Sequence, residues 1–84
     1  MSLTVPSRVD EWQDELAELD RSLIRMIRRR AELVGEIEAL RRAAGLPRTE
    51  LTRENRMVKE YQSGLGRPGA RLALLLIELA RHPS

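Results

Sequence analysis

Three arginines and two glutamates are the residues whose types and spacing suggest chemistry: Arg30, Arg41, Arg53, Glu50 and Glu54. On one continuous helix Arg41 returns to nearly the face of Arg30, offset by about 20° and displaced by roughly 16 Å along the axis. An unpaired charge inside a helical bundle costs several kcal/mol, so inward-facing arginines need anions. Either Glu54 or Glu50 pairs with Arg30 and Arg41 in a structural ion network, or Arg30, Arg41 and Arg53 ring a polar cavity whose ligand supplies the missing negative charge. Two glutamates for three arginines favour the second reading, with a pocket the size of a dicarboxylate. The chain offers no nucleophile with an adjacent base, no glycine-rich phosphate loop and no metal-ligand spacing. It has no cysteine, and His82 is its one histidine. The expectation is a site without cofactor or metal.

The elements that must position these residues begin with a long helix. Between Val9 and Ala44, apolar or small residues recur at steps of three and four: Trp12, Leu16, Leu19, Leu23, Met26, Leu33, Ile37, Leu40 and Ala44. Arg30 falls on the same stripe. Gly35 is tolerable inside so long a periodic run, at about 1 kcal/mol against alanine. Such a helix, roughly 34 residues and 50 Å long, exceeds what a compact chain of this size, with a radius of gyration near 12 Å, can cover. A homodimer is therefore expected.

Gly45 suits the position just past the end of the long helix, and Pro47 forbids its simple continuation. Thr49 or Thr52 can cap a second helix, with Glu50 favourable against its dipole. That helix carries Arg53, Met57 and Tyr61 on one row, beside Glu50, Glu54 and Val58, and ends at Gly64 and Gly66. Pro68 suits the first turn of a third helix. The run from Leu72 to Ala80 is leucine-rich and poor in β-branched residues, which favours helix over strand, and its all-round hydrophobicity predicts burial on most sides. The fold class is all-α: a three-helix protomer forming one domain over residues 1–84, with residues 1–8 frayed.

The formal charge is +2 and almost wholly arginine, since Lys59 is the one lysine. Arg28, Arg29 and Arg30 fan through roughly 200° of a helix, so they form no phosphate-tracking stripe. Acidic residues are interspersed among them and no aromatic side chains interleave, which argues against nucleic acid. The first residues show neither a signal peptide nor a membrane span, so the expected compartment is the cytoplasm.

Glu18-Leu19-Asp20, Arg29-Arg30-Ala31-Glu32-Leu33, Arg41, Pro47 and Arg53-Glu54, in that order and spacing, resemble the all-helical chorismate mutases from about Trp12 to Tyr61. The short third helix and the Leu65-Gly66 turn are most similar to the small subclass activated by docking onto DAHP synthase. The resemblance implies the rearrangement of chorismate to prephenate in an intertwined six-helix dimer with two shared sites. It implies that Arg30 grips a carboxylate, that Arg41 reaches the ether oxygen and a carboxylate, and that Arg53 binds a carboxylate. Glu54 and Glu50 would face the substituent at ring carbon four, and Ile37 and Met57 would be apolar wall.

The chain departs from the family pattern in three ways. Gln13 stands where relatives place an arginine contributed across the dimer, a loss of about 1.5–3 kcal/mol of binding. Glu38 stands where relatives often have glycine. The chain also stops at Ser84, before the stretch from which longer relatives supply a polar group to the ether oxygen. Weak activity in isolation is therefore expected. The alternatives are a mutase of 4-amino-4-deoxychorismate, whose ammonium suits Glu50 and Glu54; a lyase acting on isochorismate; a non-catalytic module that binds DAHP synthase through its tail from Glu78 to Ser84; and a plain structural bundle.

Overall fold

A computed structural model describes residues 5–47 and 51–82. Three helices make up the described chain: α1 (Val5–Ala43), α2 (Leu51–Leu65) and α3 (Arg67–Arg81). α1 runs 39 residues and takes in Pro6, Ser7 and Arg8, residues expected at a frayed end. Proline is tolerated there because the first turn's N–H groups have no intrahelical partner. α1 ends as its sequence predicts. Gly45 adopts φ 71°, its N–H donates to the Arg42 carbonyl at 3.1 Å, and the Leu46 N–H donates to the Arg41 carbonyl at 2.7 Å. Together these bonds form a Schellman motif.

Thr49 and Glu50 lie outside the described residues. α2 begins at Leu51, so Thr52 sits inside it and is not its cap. Gly64 is likewise helical, and the chain reverses at Gly66 alone, with φ 79° and its N–H donating to the Gln62 carbonyl at 2.8 Å. Pro68 occupies the first turn of α3. The hairpin closes so tightly that a Cβ on the buried Gly69 would lie 2.2 Å from the Tyr61 carbonyl oxygen and 2.8 Å from Leu65 Cβ. Only glycine allows the two backbones to approach this far.

α3 is the central element, packed against both α2 and α1, while α1 and α2 make no direct backbone packing among the described residues. Ala73 and Leu76 of α3 are its buried apolar side chains. Half-buried Met57, Val58 and Tyr61 flank the hairpin from α2. From Ile27 onward the half-buried residues of α1 are Ile27, Arg30, Ala31, Val34, Glu38 and Arg41, whose steps of one, three and four define the face turned to α3. The apolar stripe read from the sequence therefore lies beside this face: Leu33, Ile37 and Leu40 remain exposed, as do Trp12, Leu16, Leu19, Leu23 and Met26. α3 also differs from its expectation, since Leu72, Leu74, Leu75 and Leu79 stay exposed within the single chain. The molecule is 62 Å long with a radius of gyration of 18.0 Å. No helix among the described residues is long and apolar enough to cross a membrane.

Gly69→Ala is expected to lower stability by about 2 kcal/mol or more through overpacking. Gly64→Ala, whose Cβ would meet nothing within 4 Å, should raise it by about 0.5–1 kcal/mol. Paired thermal melts of the two variants check this opposition of sign.

Candidate functional site

Because α3 packs against both other helices while the backbones of α1 and α2 stay apart, a space remains between the C-terminal half of α1 and the start of α2. It forms a cavity of about 790 Å³. α1 lines it with Arg30, Val34, Gly35, Ile37, Glu38 and Arg42; α2 with Arg53, Glu54 and Met57; the end of α3 with Ile77, Ala80, Arg81 and the following His82. Helical spacing accounts for the selection. Arg30, Val34, Ile37 and Glu38 share one face of α1, and Arg53, Glu54 and Met57 fall within a single turn of α2.

Five sequence-predicted residues therefore converge: Arg30, Ile37, Arg53, Glu54 and Met57. Arg30 Nη2 lies 2.8 Å from Met57 Sδ, a polar contact spanning the cavity from α1 to α2. A thioether is a weak acceptor, so this contact leaves the guanidinium's demand for an anion largely unmet. Glu54 pairs with neither Arg30 nor Arg41. Its Oε1 accepts from Arg81 Nη2 at 2.5 Å, and the Glu54 side chain is 19% exposed against 60% for Arg81. The ion network weighed from sequence, Arg30 and Arg41 on Glu54, is not formed among the described residues; Glu54 pairs with Arg81 of α3 instead.

Arg41 departs from expectation. It is half-buried on the predicted face, yet it is not among the cavity residues. The Schellman turn folds Pro47 back over it, Nη1 approaches the Pro47 carbonyl oxygen at 3.4 Å, and the buried Nε has no hydrogen-bond partner. Arg42, rotated by about 100° from Arg41, lines the cavity instead. Gln13 lies on the exposed N-terminal half of α1, roughly 26 Å along the axis from Arg30. Glu50 lies outside the described residues.

Arg42, Arg81 and His82 line the cavity although the sequence does not place them there; Arg81 and His82 read from sequence only as part of a docking tail. Arg81 could have been found only as a basic residue in the last turn of α3, a placement the helix dipole explains by itself. The formal charges around the cavity are four guanidiniums against two carboxylates, with His82 at the rim. Such a wall can hold a small dianion by charge-assisted, partly bidentate contacts. Among the described residues, no group of three His, Cys, Asp or Glu side chains comes together to hold a metal ion.

Comparison with known proteins adds a family to this geometry. A family model described as chorismate mutase type II matches residues 12–72. A relative named intracellular chorismate mutase, from Mycolicibacterium smegmatis, is 37% identical over 73 residues, covering 87% of this chain and 70% of its own. The protein of the same name from Mycobacterium tuberculosis H37Rv is 36% identical over 73 residues, covering 87% of this chain and 69% of its own. No solved structure matches the chain.

A small dicarboxylate should bind this cavity with an affinity that falls severalfold as salt rises from ~0.05 M to ~0.5 M, because partly exposed guanidiniums are screened. Calorimetric titration at the two ionic strengths measures it. Salt-independent binding would remove arginine charge as the driving force.

Proposed function

We propose how this chain, which belongs to the type II chorismate mutase family and rearranges chorismate to prephenate, does so with the side chains of one arginine-rich cavity. The protein is an isomerase of the shikimate pathway. Its reaction is unimolecular: the ether C–O bond breaks as a C–C bond forms, with no proton transfer and no covalent intermediate. What the protein must supply is conformation and charge. It holds the enolpyruvyl arm over the ring and stabilises negative charge building on the ether oxygen. The observation that carries this reading is the excess of guanidiniums over carboxylates around the cavity.

In this reading Arg30 exchanges its thioether contact for a substrate carboxylate, and Arg53 binds a carboxylate directly or through water. Arg41 reaches the ether oxygen and a carboxylate. Its long contact to the Pro47 carbonyl and its unpartnered Nε support a side chain that gains by turning toward an anion. Glu54, with Glu50, faces the substituent at ring carbon four, and Ile37 and Met57 form apolar wall. The working unit is a homodimer in which the N-terminal half of α1 from a second copy lies across the cavity and brings Gln13 to it. The exposed row of Trp12, Leu16, Leu19, Leu23 and Met26 supports this arrangement. A neutral amide at Gln13 weakens substrate binding, so turnover alone is low. DAHP synthase is the activating partner, and the exposed Leu72, Leu75 and Leu79 of α3 offer it apolar surface. The relatives carry "intracellular" in their names, which supports a cytoplasmic location for this chain.

Purified protein should convert chorismate to prephenate, faster with an added DAHP synthase. Arg30→Ala should lower kcat/KM about a hundredfold, equivalent to roughly 3 kcal/mol of lost charged contacts, while circular dichroism stays unchanged. Wild-type turnover in that variant would remove Arg30 from the site. Leu19→Glu should convert a dimer into monomers in sedimentation equilibrium and abolish turnover together with it. A wild-type species that sediments at 9.6 kDa would defeat the shared-site arrangement.

A further inference from the structure

The cavity contains an ion pair that the rearrangement does not call for. Arg81, in the last turn of α3, donates from Nη2 to Glu54 Oε1 across 27 residues of sequence. The guanidinium is well exposed at 60%, so the pair adds little to stability. Its effect is on the charge that a ligand meets. Glu54 is the carboxylate assigned above to the substituent at ring carbon four, and Arg81 neutralises it before any ligand arrives. With Arg81 present, the cavity walls carry a surplus of two positive charges. That surplus matches chorismate, which has two carboxylates and a neutral hydroxyl. The 4-ammonium analogue has a net charge of −1 and would bring its cation against the Arg81 guanidinium.

We propose that Arg81 is a specificity-determining residue: by holding Glu54 in an ion pair it sets the cavity for a 4-hydroxyl dianion and against a 4-ammonium ligand. The inference rests on the reading that substrate occupies this cavity with ring carbon four toward Glu54. A carboxylate has about four acceptor sites, so Glu54 can accept a hydrogen bond from the hydroxyl while still held by Arg81. An ammonium must either displace the guanidinium or sit beside it, and that like-charge juxtaposition acts against the wrong ligand. Loss of Arg81 removes the repulsion and leaves Glu54, only 19% exposed, as an unpaired carboxylate suited to a cation.

The test uses two ligands that cannot rearrange. Both are lactyl ethers made by saturating the enolpyruvyl double bond, one with the 4-hydroxyl and one with the 4-ammonium group. Calorimetry on the full chain gives a Kd for each. The wild type should prefer the hydroxyl ligand, and Arg81→Met should shift the ratio of the two Kd values by about tenfold or more toward the ammonium ligand. Arg81→Lys should restore the wild-type ratio. In a Glu54→Gln background, Arg81→Met should shift the ratio clearly less, since only the direct repulsion by the guanidinium is then removed and no carboxylate is freed; a shift as large as in the wild-type background would overturn the role of the ion pair. An unchanged ratio in Arg81→Met, or an equal change in both Kd values, overturns the inference while leaving the cavity as the substrate site. Failure of both ligands to bind the wild type overturns the site assignment and this inference together.

Discussion

The length of α1 is the constraint on which the rest of the structure depends. At 39 residues it extends about 58 Å, whereas α2 and α3, at 15 residues each, extend only about 22 Å. A hairpin of that size cannot cover the helix it packs against. One end of α1 therefore acquires a neighbour and becomes the place where a site can form. The other end keeps Trp12, Leu16 and Leu19 in water. At roughly 25 cal/mol per Å² of apolar surface, that row favours association with something equally long and apolar.

Within the covered end, α3 acts as a spacer. Gly69 lets it approach the α2 backbone closely, so the hairpin behaves as one thin slab laid on α1. Because α3 bears the packing on both sides, α1 and α2 stand apart and the space between them becomes the cavity. Polar side chains, not apolar ones, span that space: Arg30 reaches toward Met57, and Arg81 closes on Glu54. The walls are thus held in place by packing elsewhere, and a ligand can exchange with those polar contacts without dismantling a core.

Much of this was legible in the sequence because it follows from helical period and chain-ending residues. The three helices and the stop at Gly45 need only local geometry, whereas the convergence of Arg30, Ile37, Arg53, Glu54 and Met57 is expected from charge counting for the arginines and from the family resemblance for the apolar pair. What periodicity leaves open has a different cause. Whether Arg41 or Arg42 enters the cavity depends on a rotation of about 100° and on where Pro47 folds back, neither of which periodicity decides. Arg81 meets Glu54 only through the hairpin, and no local pattern links residues 27 apart. Gly69 carries no local signal of its role: it is buried inside α3 because a neighbouring backbone takes the room of a side chain.

The single residue between α2 and α3 has a consequence for how the molecule comes together and comes apart. Closing a hairpin over Gly66 alone confines very little chain, so contacts between α2 and α3 are local and form early. Docking of α1 closes a longer loop and creates the cavity only as it happens. The distance between α1 and the hairpin is therefore the quantity that reports a formed site.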